Sequence, residues 1–442
     1  ELALAKAEVR RVRAELRRPG VERAGLMASA LTSVAAMRDK EDPELDEVVR
    51  DLLRDFGGPS TPLGGRSRAA SLAPSGRLAA FGTDGVGASI VNPFRPTEGT
   101  VVSGHDATVS AVVWGPNGDL VAVADDGGHV TVWSARRAEV VSNLKHPTAV
   151  RGAAFDPRGK LLVSTGDDGS VRLWDVESAK EIASLVGHNR PVYEATFRPT
   201  GEPLLATAGD DGNVCLWSGP SLSTELCFEA HNSWVHALTF SRTGDRLASA
   251  GDDGVIRVIT GMASPSLDGL SEAMSIAGHE GPVTSVVWGP AGRTLLSGSF
   301  DRSVRLWDLS GKPKETIRFS GHQDWVWKVR GVWSGGLRYV VTASADGLVR
   351  LFDPRGKLLR EFAGDGTAVR TLDVDSDGRW LSWGGETSGR LIDLESSVGN
   401  LLPRSLDGLI NVGCRWLSAE RASRAEVEAL WQEEGSPAPC GA

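Results

Sequence analysis

No stretch of this chain runs to the roughly 18 consecutive apolar residues that would cross a bilayer as a helix, and no signal peptide is visible. A membrane-spanning role is not expected. The chain opens at Glu1 rather than Met, which leaves open a further segment upstream. Basic excess is missing too. The net charge is −9 and the sequence pI is near 5.5, which argues against a nucleic-acid-binding face. Cysteine is scarce. Residues Cys215, Cys227, Cys414 and Cys440 show neither metal-ligand spacing nor a disulfide framework, so Cys215 and Cys227 read as buried reduced thiols and the chain as cytoplasmic. Catalytic signatures are also absent: there is no phosphate-binding loop, no H-E-x-x-H and no G-x-S-x-G elbow. Aromatics make up only 6% of the residues, yet 14 of them are Trp, a bias that calls for a repeated cause.

The cause is a recurring phrase. Gly166-Asp167-Asp168-Gly169 leads through an alternating apolar run into Leu173-Trp174-Asp175. The phrase returns from Gly209 to Trp217-Ser218, from Ser299 to Trp307-Asp308 and from Asp346 to Phe352-Asp353. Each copy reads as a tight Asp-Gly turn followed by a strand. The positions equivalent to the final Asp are Asn92, Ser134, Asp175, Ser218, Thr260, Asp308, Asp353 and Asp393, with successive spacings of 42, 41, 43, 42, 48, 45 and 40 residues. The 48-residue spacing holds an insertion around residues 262–269, expected as loop decoration. Gly-His or a relative precedes most copies, at His105, His146, His188, His231, His279 and His322.

With spacing, Gly-His, Asp-Gly turn and terminal Trp-Asp in agreement, the chain resembles the WD-repeat β-propeller family over about residues 66–397. The resemblance implies an all-β propeller of eight four-stranded blades, the first and last of them worn copies. The expected organisation is a helical N-terminal extension or linker over residues 1–58, the propeller over 66–404, and a helical C-terminal tail with a disordered end over 405–442. Apolar spacing supports three helical stretches at the N-terminal end, and the Gly/Pro/Ser-rich residues 60–67 read as the connector.

The six histidines invite a metal or catalytic reading. What the resemblance implies is structural: His, the turn Asp and the strand Trp of one blade form a hydrogen-bonded set. The sets are His146, Asp168 and Trp174; His188, Asp211 and Trp217; His279, Asp301 and Trp307; and His105, Asp126 and Trp133. Blade five has Ile259 and blade seven Phe352 where the Trp belongs. No catalytic, cofactor or metal-binding residue is assigned.

The residues flanking the Val that starts each innermost strand, and the residue before the turn Asp, are those the family resemblance places on one rim. Asp125 is among the latter. The protein-binding face expected from these positions comprises Arg151, Asp167, Tyr193, Asp210, Trp234, His236, Asp252, Phe300, Trp325, Trp327 and Arg370. Large aromatics beside carboxylates are the chemistry of a binding hot spot for a basic or apolar peptide segment. The resulting functional expectation is a non-catalytic sensor module of a larger bacterial signalling or defence protein, binding a protein or peptide, with no nucleic acid and no membrane. The alternative is a stand-alone scaffold or inhibitory subunit that regulates a partner enzyme.

Overall fold

The computed structural model describes residues 2–15, 29–30, 33–34, 45, 49, 61–64, 69–83, 85–92, 95–219, 222–262, 269–364, 366–385 and 388–394. The expected C-terminal tail, residues 405–442, lies outside the described residues. Eight four-stranded antiparallel sheets make up the fold, as the repeat spacing leads one to expect. Seven are formed by consecutive strands, within residues 70–102, 109–145, 150–185, 192–229, 235–276, 283–319 and 326–363; these are blades one to seven. Blade eight is built differently. Strands Thr371–Val374, Trp380–Gly384 and Ser388–Asp393 come from the end of the repeat, and its outermost strand is Thr61–Gly64, paired antiparallel with Ser388–Asp393 from Thr61 opposite Leu391 to Gly64 opposite Ser388. The stretch expected as a connector is therefore the strand that closes the ring. It satisfies the edge that three strands alone would leave unpaired.

The innermost strands of neighbouring blades pack against one another all the way round, blade one against blade eight included. At that seam Leu72, Phe81 and Val91 share a core with Trp380 and Leu391, and Asp373 accepts from the Leu72 amide at 2.9 Å. Blades are covered on both faces, so second strands such as Leu204–Gly209 are buried throughout. The Asp-Gly turns need their glycine: Gly212 has φ +76°, and a Cβ there would sit 2.3 Å from the His231 carbonyl oxygen.

At the N-terminal end, helix Leu2–Glu15 buries Ala5, Val9 and Val12. Ala30, Val34, Leu45 and Val49 are helical and buried as well, and Ser29 Oγ donates to Glu8 at 2.9 Å. Among the described residues no helix is long and apolar enough to cross a membrane.

Candidate functional site: an aromatic arc on one rim

Six innermost strands share one irregularity. After their first Val the pairing with the second strand slips by a residue, between Val109 and Ala111, Val150 and Gly152, Val192 and Glu194, Val235 and Ala237, Val283 and Ser285, and Val326 and Lys328. The residue left out of the ladder is Ser110, Arg151, Tyr193, His236, Thr284 or Trp327. A bulge frees its extra residue from the pleat and re-aims the side chain. The bulge is the local reason that positions beside the first Val face the rim. Thr284 is the exception: it is buried, and its hydroxyl donates to the Val326 carbonyl of the next blade at 2.6 Å. Ser110 ties to Val150 in the same way.

From Tyr193 to Arg370 the sequence-predicted rim residues meet in a continuous chain of contacts, and Arg151 and Asp167 form a separate ion pair. Arg151 holds Asp167 through two nitrogens and reaches Asp126 of blade two at 2.9 Å. Tyr193 of blade four stacks on Trp234, centroids 5.9 Å apart, and Trp234 meets His236 at 5.9 Å. His236 lies 6.3 Å from Phe300 of blade six. Phe300 then touches both Trp325, at 4.2 Å, and Trp327, edge-on at 5.0 Å. The arc ends where the Arg370 guanidinium sits 4.9 Å from the Trp327 ring. Trp234 and Trp325 are 42% and 45% exposed, far above the usual state of an indole.

The charges on this rim are largely matched. Asp167 has Arg151, whose own pKa is raised chiefly by that bond; Asp252 accepts from His236 at 2.5 Å and from Ser233. Asp210 faces Arg190 only at 3.8 Å, and its Oδ1 is buried with no hydrogen-bond partner, as is Trp327 Nε1. Burial, with Asp210 and Asp167 nearby, pushes the Tyr193 hydroxyl pKa up. One residue below the bulges, Lys328 reaches Glu194 at 3.5 Å, joining blades seven and four, which are not neighbours in the ring.

Blade two departs from expectation. His105 bonds Asp125 at 2.8 Å, not Asp126, and Asp125 is fully buried. Val109 stands opposite Asp125, whereas the corresponding partners are Gly166, Gly209 and Gly251 in the next three blades. Gly127 occupies the place of Asp168 and has no side chain to offer, so the carboxylate comes from two residues earlier. Asp126 takes the rim place instead. Burial raises the Asp125 pKa, but bonds from the His129 amide and His105 outweigh it and hold the carboxylate below its ordinary range.

The buried sets contain a member that pattern reading missed. In three of the four sets the indole donates to a hydroxyl on the second strand: Trp174 to Ser164 at 2.9 Å, Trp217 to Thr207 at 2.9 Å, Trp307 to Ser297 at 2.8 Å. In blades four and six the hydroxyl in turn meets the histidine, as for Ser297 and His279 Nε2 at 2.7 Å, while His279 Nδ1 meets Asp301 at 2.8 Å. In blade three the link to Asp168 runs through Ser170 rather than directly. In blade two Val123 stands where these hydroxyls stand, and His105 Nε2 is left without a partner. Asp, His and Ser in this order mimic a hydrolase triad. Ser297 is fully buried and accepts from the Trp307 indole, so no substrate carbonyl can approach its oxygen.

Cys215 and Cys227 correct the expectation of reduced thiols. They face each other directly across neighbouring strands and form a disulfide. With Glu225 they are the one group of potential metal ligands of this kind among the described residues, and both sulfurs are already bonded.

The family model of the IFT122 first beta-propeller matches residues 109–389. The chain belongs to this propeller family. Relatives of this β-propeller include the COMPASS component SWD3 of Saccharomyces cerevisiae, 31% identical over 136 residues, 30% of this chain and 39% of that protein. Pre-mRNA-processing factor 19 of Dictyostelium discoideum is 27% identical over 34% of this chain and 29% of its own length. Coronin-7 of Bos taurus is 34% identical over 25% of this chain and 12% of its own length. The matches thus span less than half the length of these relatives. The solved structure of the computationally designed Ika8 protein superposes with a TM-score of 0.62 at 22% identity, covering 76% of this chain and 98% of that one. At that identity the likeness is one of fold.

Proposed function

We propose that this WD-repeat propeller is a non-catalytic interaction module that holds a protein or peptide segment on the rim carrying Tyr193, Trp234, Phe300, Trp325 and Trp327. One observation carries the reading: ring-to-ring contacts run unbroken from blade four to blade seven while two of the indoles stay open to solvent. Such rings, ordered beforehand by their neighbours, lose little side-chain freedom on binding. Because Asp167 and Asp252 are already paired, the aromatic stretch contributes more than charge steering, and an apolar segment with few basic residues suits the face best.

The setting we propose is cytoplasmic, as the sensor portion of a larger bacterial signalling protein. A scaffold role in a multi-subunit assembly is the second reading, favoured by one relative's being a COMPASS component. Affinity capture with the intact protein, compared with Trp325→Ala and Trp234→Ala, tests the rim. Loss of the captured partner from both variants, each still folded, is expected. Retention by both would overturn the proposal.

A further inference from the structure

Blade five has an opening at a place where its neighbours show what belongs there. In blades four and six the strand closes on Trp217 and Trp307, both buried. The far edge of each indole lies against the glycine before the blade histidine: a Cβ on Gly187 or Gly278 would come within 2.9 Å of it. In blade six Arg305, two residues before the indole, sits with its guanidinium 6.0 Å from the ring centroid and is held by Glu315 at 2.8 Å. Glu315 stands opposite Trp307 in the strand pairing.

Blade five keeps this frame and omits the ring. Glu272 stands opposite Ile259 as Glu315 does opposite Trp307. Arg257, two residues before Ile259, bonds Asp253 at 2.8 Å and lies 3.6 Å from Glu272. Ile259 replaces the indole, and Ala230 replaces the glycine that makes room for it in blades four and six. What results is a cavity of about 260 Å³ with Leu226, Phe228, Ala230, Ile259 and Leu270 in its wall and Arg257 beside them. Leu226 is 38% exposed, so the cavity opens on the flank of the ring, between the outer strand of blade four and blade five.

We propose that this cavity is a second binding site, independent of the rim, that takes one aromatic side chain of a partner protein. The molecule itself supplies the template, since blade six shows an aromatic ring beneath an arginine in the same frame. Arg257 is fixed by Asp253, Glu272 and His231 Nδ1 and has no indole two residues on; an entering ring would meet its guanidinium face and gain a cation–π contact, while the apolar walls remove the ring from water. The same arginine disfavours a cationic head, and Glu229 and Glu272 in the lining disfavour an anionic one. A neutral aromatic ring is the chemistry that fits.

The test uses the full chain and N-acetyl-tryptophanamide as the probe, read by saturation-transfer NMR. Parent protein is expected to saturate the indole protons. Ile259→Trp combined with Ala230→Gly, which restores the glycine of blades four and six, puts the chain's own indole in the cavity and should cut the signal at least about fivefold, with thermal stability equal to or above the parent's; Arg257→Gln should weaken binding about two- to fivefold, the reach of one cation–π contact. Ala230→Leu narrows the same space and serves if that double variant does not fold. Signals that survive both cavity variants, or that vanish with Trp325→Ala, would place the probe on the rim and overturn the proposal. Binding that appears only after residues 263–268 are replaced by a short Gly-Ser turn would overturn it in favour of an occupant from the chain itself.

Discussion

Phe300 of blade six lies flat against Trp325, which leads into blade seven, with ring centroids 4.2 Å apart and planes 12° from parallel. Two blades therefore present one aromatic surface. The stack is worth about 0.5–1.5 kcal/mol beyond its buried area, but it rests on an open rim, so its loss should reach binding before folding. Phe300→Ala is expected to weaken capture of a rim partner by a hot-spot amount, about 2 kcal/mol or more, while shifting unfolding by about 0.5–1.5 kcal/mol. A titration with the captured partner, run beside a urea melt, separates the two effects.

Substitutions in the buried sets should behave in the opposite way. Trp307→Phe removes the donor to Ser297, and Trp174→Phe removes the donor to Ser164. Each is expected to cost about 1–3 kcal/mol of stability through the lost bond to the buried hydroxyl and lost packing, against little for Trp325→Ala. Urea midpoints of the three variants check the order. A larger loss for Trp325→Ala would show Trp325 to be core.

Acid should destabilise the ring through its histidines. Burial, with the neighbouring Arg350 charge, pushes His322 down to about 4, and burial lowers His146, His231 and His279 in the same direction. In the unfolded chain a histidine takes its proton near pH 6.5. Between about pH 6.5 and 4 the unfolded state therefore binds more protons, and stability falls as pH falls. His322 alone can account for up to about 3 kcal/mol of that loss. His322→Gln should flatten the pH dependence of urea unfolding over this window, and an unchanged slope would count against the assignment.

Reduction should loosen blade four. The Cys215–Cys227 bridge joins residues 12 apart in sequence, a short loop, so its loss should cost about 2–4 kcal/mol, nearer the lower figure. Melting with and without a thiol reductant, using Cys227→Ser as the control that no longer responds, measures it.

Most of the ring was legible because it is periodic. A phrase such as Gly166-Asp167-Asp168-Gly169 followed by Leu173-Trp174-Asp175, recurring at near-equal spacing, determines four strands per repeat and eight repeats. Features carried by a single instance were not legible. Thr61–Gly64 contributes one strand and no turn, so it bears no trace of the phrase. Asp125 and Asp126 could be told apart only by the strand pairing, because Gly127 stands where Asp168 does and has no carboxylate to offer. Ser164, Thr207 and Ser297 sit among other small residues of the second strands, and nothing but their indole partners distinguishes them. The Cys215–Cys227 bridge needed the register that sets the two residues face to face. At the rim the positions could be anticipated from the first Val of each repeat, whereas the pairing of Arg151 with Asp126 and Asp167 depends on how neighbouring blades are turned toward each other.

The pairing of Thr61 with Leu391 also sets a timetable. Blades one to seven each complete their hydrogen bonds from consecutive stretches of chain, contacts of the kind that form early. Blade eight cannot be completed until nearly the whole repeat has left the ribosome, and until then Thr61–Gly64 must wait with its backbone unpaired. Chaperone demand during synthesis should therefore concentrate on this one early segment, and a nascent chain halted before Leu391 is a string of finished blades that has not yet become a ring.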